Sequence, residues 1–249
     1  MSRAAAGRRT RIACATTRIG VSLNGLAEVS ASLQTMSRLA AAFAVTLAAL
    51  HGACVAASLE VDVLDAAGKP VADAAVYATA SAAVMDARRP AKLAEIQQID
   101  REFVPYVTVI QVGTTVTFPN RDPILHHVYS FSPPKSFEIK LYKGGSPSEV
   151  LFDKPGVVTL GCNIHDWMIG YVLVVPTPHF GKTDKTGIVR LRDLPAGSYD
   201  VHAWHPQERA ATASVAVALE PGAARSVTFA IDVVPRKAKY KPPLDRIKY

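Results

Sequence analysis

Cysteine is scarce in this chain. Of three in 249 residues, Cys14 and Cys54 precede residue 58, which leaves Cys162 alone in the body. A single thiol makes no internal disulfide, so a disulfide scaffold is excluded. Long apolar runs are missing too. The run from Leu39 to Leu50 is interrupted by Thr46 and is too short to span a bilayer. The main body has no convincing amphipathic helix pattern. It also lacks a basic groove interleaved with aromatics, although the formal net charge is +7. That charge sits at the ends. Residues 1–57 hold six basic and one acidic residue, residues 235–249 hold the same, and the body between holds 16 basic and 19 acidic. An excess confined to the two ends gives no reason to expect a nucleic-acid partner.

The leader has a recognisable layout when Met36 is taken as the effective start. Ser37-Arg38 is a short positive region, Leu39–Leu50 an apolar one, and Val55-Ala56-Ala57 puts small residues at −3 and −1 of a cut before Ser58. That pattern predicts a secretory signal peptide over residues 36–57 and a periplasmic protein. Residues 1–35 read as an upstream extension. Arg8-Arg9 lies too far from the apolar run for a twin-arginine signal, and His51 disfavours lipidation at Cys54.

Beyond Ser58 the chain alternates short strands with turns. Leu59–Leu64 has period two, as a half-buried strand does. Asp65–Pro70 is a turn by composition, and Val71–Thr79 is the next strand. Residues 81–96 are Ala-rich and read as a linker, with room for one helical turn. Further strands are expected at 116–118, 126–131, 137–141, 149–152, 156–160 and 171–175. A last group covers 187–191, 198–204, 213–219 and 226–233. The fold class is all-β.

Within that pattern, Cys162-Asn163-Ile164-His165-Asp166-Trp167-Met168 places a thiolate, an imidazole and a thioether at steps of three, between two apolar strands. Soft sulfur donors combined with imidazole suit copper, and Cys, two His and a weak axial Met make a blue-copper site. The second His is sought at His126-His127. Structural zinc takes several Cys or His and has no use for a thioether. A Cys-His nucleophile needs an oxyanion hole and an orienting partner, for which no residues stand out. His202 and His205 read as strand-end residues, and His179 as part of a Pro-flanked linker.

Residues 98–175 resemble the cupredoxin family of small blue-copper proteins. The resemblance rests on Val116-Thr117-Phe118-Pro119-Asn120, on His126 with Val128, and on Cys162-x-x-His165-x-x-Met168, whose spacing is closest to that of amicyanin. It implies a Greek-key β-sandwich holding one type 1 copper by His126, Cys162, His165 and axial Met168. His126 is preferred over His127 because it stands six residues after Asn120, and because alternation turns only one of two adjacent side chains to the metal. His127 and Asn120 are then expected to brace the loops behind the ligands. The family further implies an exposed His165 edge as electron port, ringed by Pro123, Ile124, Leu125 and Trp167.

The flanks resemble a carboxypeptidase-regulatory-like (transthyretin-like) sandwich. The matching residues are Val63–Val76, Thr183-Asp184-Lys185-Thr186-Gly187 and Leu194-Pro195-Ala196-Gly197-Ser198-Tyr199. The expected organisation is a discontinuous sandwich of residues 58–84 and 177–234, a linker over 85–97, a cupredoxin unit over 98–176 and a basic tail over 235–249. The expected function is single-electron transfer, not enzymatic turnover, with a cytochrome or dehydrogenase as transient redox partner and no stable membrane span. A copper chaperone or store, or a non-redox adhesion or scaffold module, is the alternative.

Overall fold

The computed structural model describes residues 56–80, 93–144 and 148–234. The expected extension, the signal peptide up to residue 55, most of the 85–97 linker, Gly145 and the basic tail fall outside the described residues, and Ala57, expected to precede the cut, opens the first strand. Every regular element described is a strand. In chain order these are β1 (Ala57–Leu64) and β2 (Ala75–Ala80); β3 (Leu93–Glu95), β4 (Gln97–Ile99), β5 (Glu102–Val104), β6 (Val107–Gln111) and β7 (Thr114–Thr117); β8 (His126–Ser132), β9 (Lys135–Tyr142), β10 (Glu149–Phe152), β11 (Gly156–Gly161) and β12 (Ile169–Val175); then β13 (Phe180–Lys182), β14 (Ile188–Leu194), β15 (Gly197–Trp204), β16 (Val215–Leu219) and β17 (Ala224–Ala230). Among the described residues no helix is long and apolar enough to cross a membrane.

Strands β1, β2 and β13–β17 form two facing sheets, ordered β14-β1-β17 and β13-β2-β15-β16. Strict alternation along β1 buries Leu59, Val61 and Val63 completely while Glu60 and Asp62 stay half-exposed. These side chains meet Val76, Ala78, Tyr199, Val201 and Phe229 in one core. The Asp65 carboxylate accepts the N–H groups of Ala67 and Lys69, both at 2.8 Å, and Gly68 takes the left-handed φ of 75° that closes this turn. The second strand begins at Ala75, later than the expected Val71. Residues ahead of it are drawn into a turn with Asp73 at φ 61°, where the Thr183 hydroxyl accepts the Ala74 N–H at 2.9 Å and donates to the Val71 carbonyl at 2.7 Å. A short strand also follows the 176–178 prolines, where a plain linker was expected: β13 pairs with β2 from Phe180↔Tyr77 to Lys182↔Ala75.

Strands β3 and β6–β12 build a second pair of sheets, ordered β10-β7-β3 and β6-β12-β11-β8-β9. Between them lies a core that includes Val116, Phe118, Val128, Phe152, Val158, Leu160 and Val172. The β3 strand replaces the end of the expected linker and pairs in parallel with β7. Hairpin β4–β5 is a separate two-stranded ribbon whose turn is Asp100–Arg101, and its Phe103 is buried in the same core.

The two pairs of sheets are packed against one another. Leu173 and Val175 of β12 reach across to Ala75 of β2, with Tyr77, Val109, Phe180 and Trp204 around them. Two polar contacts cross the same seam, from Lys182 Nζ to the Val107 carbonyl at 3.1 Å and from Gln207 Nε2 to the Tyr106 hydroxyl at 2.6 Å.

Candidate metal centre

Two strands hold the cysteine loop at both ends. The β11–β12 pairing runs from Gly156↔Val174 to Gly161↔Ile169, so the loop it closes is Cys162 to Met168. Inside the loop the Met168 N–H donates to the His165 carbonyl at 2.8 Å, which curls the segment back on itself. The backbone N–H groups of His127, Ile164 and His165 all point at the Cys162 sulfur. That is the support a thiolate needs when it gives up its proton.

His126 opens β8 beside a bulge, where the pairing slips between His126↔Tyr142 and Val128↔Ile139. Both His126 and His127 are buried, but on opposite sides. His126 lies 4.9 Å, centroid to centroid, from the His165 ring, and its side chain is joined to Cys162 and His165 in a cluster whose ligand atoms all lie within 4.8 Å of one another. Cys162 Sγ and His165 Nδ1 are 3.5 Å apart. The His127 ring instead bonds Glu138 through Nε2 at 2.9 Å and lines up with Tyr129 and Phe131 on the outer face. His127 therefore reaches the cysteine through its backbone N–H, where a bracing side chain was expected. Asn120 donates to the carbonyls of Ile124 (2.8 Å) and Tyr142 (3.0 Å) and accepts the Asp122 N–H (2.9 Å), which shapes the loop leading into His126. Met168 is buried in the same core cluster as Cys162.

The protonation states suit a metal. Burial pushes the Cys162 thiol above its ordinary value, and the three backbone N–H groups only partly offset this. Burial, then the charges of His126 and Arg101, pull His165 down to about 4. His126 is lowered as well, chiefly by burial, against the opposing bond to Asp122. At neutral pH both imidazoles are uncharged and able to donate a lone pair. His126 Nε2 is taken by the Asp122 carboxylate at 2.7 Å, whereas its Nδ1 is buried with no partner. A carboxylate on one ring nitrogen and a bare second nitrogen in a buried donor cluster is the arrangement of a metal-ligating histidine. A thiol and two neutral imidazoles form a donor set that fits copper.

Two features were not foreseen. Asp122 also accepts the N–H groups of Asp100 (2.8 Å) and Arg101 (2.9 Å), which fastens the β4–β5 turn to the site. Burial would raise its carboxyl, but these bonds and the His126 ring outweigh it and hold Asp122 below the usual carboxylate range. An acidic residue four before a histidine was the only available signal. Second, the expected port is closed, because His165 is only 1% exposed. Trp167 lies 5.2 Å from its ring, and Arg101 sits 5.9 Å above the Trp167 ring. Of the residues expected to surround the port, Leu125 and Pro123 are exposed and Ile124 and Trp167 half-buried.

No family model matches the chain, and no curated protein matches it. Solved structures do align with part of it. A purple cupredoxin from Nitrosopumilus maritimus is 29% identical over 33% of this chain and 99% of its own, with a TM-score of 0.30. A copper-containing nitrite reductase from Thermus scotoductus SA-01 is 28% identical over 39% of this chain and 25% of its own (TM-score 0.32). A mutant of amicyanin in its reduced state is 21% identical over 41% of this chain and 99% of its own (TM-score 0.32).

Proposed function

We propose that this chain carries one type 1 copper and passes single electrons between protein partners after export to the periplasm. His126, Cys162 and His165 would hold the metal, with the thioether of the buried Met168 as a weaker fourth donor. The observation that carries the reading is the buried Nδ1 of His126, unpartnered beside the Cys162 and His165 donors. We further read strands β3–β12 as a cupredoxin unit inserted between the second and third strands of a transthyretin-like sandwich.

When bound, copper supplies a Cu(II)/Cu(I) couple that accepts and returns one electron. The protein's part is to keep the donors still through that change. The β11–β12 pairing holds both ends of the cysteine loop, Asp122 holds His126 from behind, and three backbone N–H groups support the sulfur. Donors fixed by the sheet have little rearrangement to undergo, and little rearrangement makes transfer fast. Encounters with redox partners of this kind are small and transient.

The test is optical. The purified full chain loaded with Cu(II) should show an intense visible thiolate-to-copper band and a reversible one-electron wave in voltammetry. Cys162→Ser and His126→Ala should abolish the band, and His127→Ala should keep it. A band that survives Cys162→Ser ends the reading, and metal binding without a reversible wave would point to a copper store.

A further inference from the structure

The β4–β5 hairpin belongs to neither sheet pair, yet its turn is tied into the metal centre. Its pairing, Gln97↔Val104 through Ile99↔Glu102, leaves Asp100 and Arg101 as the two turn residues. Both take left-handed backbone, φ 53° and 59°. Such turns are ordinarily filled by Asn-Gly or Asp-Gly, because apart from glycine, asparagine and aspartate few residues adopt that conformation. A bulky arginine there is held by its surroundings, and the holding group is identifiable. Asp122 Oδ1 accepts the Asp100 N–H at 2.8 Å, and Oδ2 accepts the Arg101 N–H at 2.9 Å. The same Oδ2 bonds His126 Nε2 at 2.7 Å. One carboxylate thus fastens the strained turn and a donor histidine together. Strain kept at such a position is characteristic of a functional constraint.

The consequence lies in where the guanidinium ends up. Its central carbon is 5.9 Å above the Trp167 ring, and that ring is 5.2 Å from His165. A permanent positive charge therefore stands on the ring that packs beside His165, one aromatic ring away from the donor cluster. Taking the copper reading of the cluster as given, we propose that Arg101 sets the reduction potential of the site. Reduction lowers the charge of the centre by one, so a fixed cation beside it favours the reduced form. At a separation of about 10 Å in a partly buried setting, one unit charge shifts such an equilibrium by roughly tenfold. Arginine suits this task because it cannot lose its charge and lies flat on an indole. Asp122 is its positioning partner: it keeps the turn, and hence the charge, in place.

The experiment compares Arg101→Asn with Arg101→Lys in the copper-loaded full chain. Asn tolerates left-handed backbone, so the turn is kept while the charge goes. In Arg101→Asn the Cu(II)/Cu(I) equilibrium should move about tenfold toward Cu(II), a fall of about 59 mV in the midpoint potential, with the visible band unchanged. Arg101→Lys should recover most of the shift. Competition with a Cu(I) chelator, which needs no redox partner, should show correspondingly weaker Cu(I) binding in Arg101→Asn alone. If Arg101→Asn does not fold, Arg101→Gly supplies the same neutral turn. An unchanged potential in a neutral variant with an intact band overturns the proposal, as does equal loss in the Lys and Asn variants. Absence of the band in the unaltered protein would instead sink the copper reading on which it rests.

Discussion

Cys162 has conflicting demands. Burial holds it as a neutral thiol, whereas a metal needs the thiolate. Binding must therefore expel a proton at neutral pH, and affinity must depend on pH through that proton. The histidines behave differently. His165 gains a proton only as pH falls to about 4, and His126 is also lowered, so neither competes with metal in the neutral range. Chelator-competition titrations should accordingly show affinity falling about tenfold per unit of pH through the neutral range, and more steeply near pH 4. A steep slope already present near pH 6.5 would mean that the imidazoles are not held neutral. The same group affects the metal-free fold. Below about pH 6.5 the unfolded chain takes up the His165 proton and the folded chain does not, so stability falls between about 6.5 and 4. Discounted for solvent screening, the loss is on the order of 2–3 kcal/mol, and it is absent above 6.5, where neither state is charged. The depressed Asp122 adds a loss of the same sign at still lower pH. Denaturant midpoints of the apo-protein, followed from neutral pH to well below pH 4, measure both.

At the scale of elements, strands β8 and β11 must meet closely beside the site, and one glycine makes that possible. A Cβ on Gly161 would come within 2.7 Å of the Tyr129 ring, which lies across it from β8. Gly161→Ala should destabilise the fold by about 1–3 kcal/mol, the range for overpacking. Because Cys162 is the next residue, the strain should also alter the visible band of the loaded protein, which a remote lesion of equal cost would leave alone. A thermal melt and a spectrum on the same sample make the check. The elements also mark how far the sequence could be read. The cysteine loop was legible because its donors are local and two apolar strands bracket it. His126 was legible from its step after Asn120 and from alternation, which turns one of the two adjacent histidines toward Cys162 and the other away to Glu138; that His127 is buried as well was not legible. The cover over His165 was not legible. It depends on Arg101 adopting a backbone that its residue type disfavours, under the control of Asp122, which lies beyond three intervening strands. Strand β13 was hidden for a related reason, since prolines at 176 and 178 read as a break while pairing with β2 supplied the order. Local pattern carries no information about such distant partners.

In the molecule as a whole, the His126–Cys162–His165 cluster and the β1–β2/β13–β17 sheets are linked through β12. The strand that leaves the cysteine loop at Ile169 runs on to Leu173 and Val175, which pack on Ala75 and stand among Tyr77, Phe180 and Trp204. Tyr171 of the same strand meets the Trp204 ring edge-on at 6.2 Å. Leu173 is 6% exposed, so its burial depends on the seam being closed. A buried apolar seam with two polar crossings couples the stabilities of the parts it joins, because neither can unfold without exposing the other's surface to water. The chain should consequently unfold in one calorimetric transition, and added copper should raise the whole of it, since a ligand that binds only the folded state stabilises everything that unfolds with its site. Leu173→Asp buries a charge in the seam and removes that coupling. It should split the melt in two, with only the transition of the β3–β12 part responding to copper, while the visible band persists because no donor has been touched. Leu173→Ala leaves a cavity in place of a charge and should lower stability by about 2–5 kcal/mol without splitting the transition. If Leu173→Asp still melts as one unit that copper raises throughout, the coupling runs through the Lys182–Val107 and Gln207–Tyr106 contacts, not through the apolar seam.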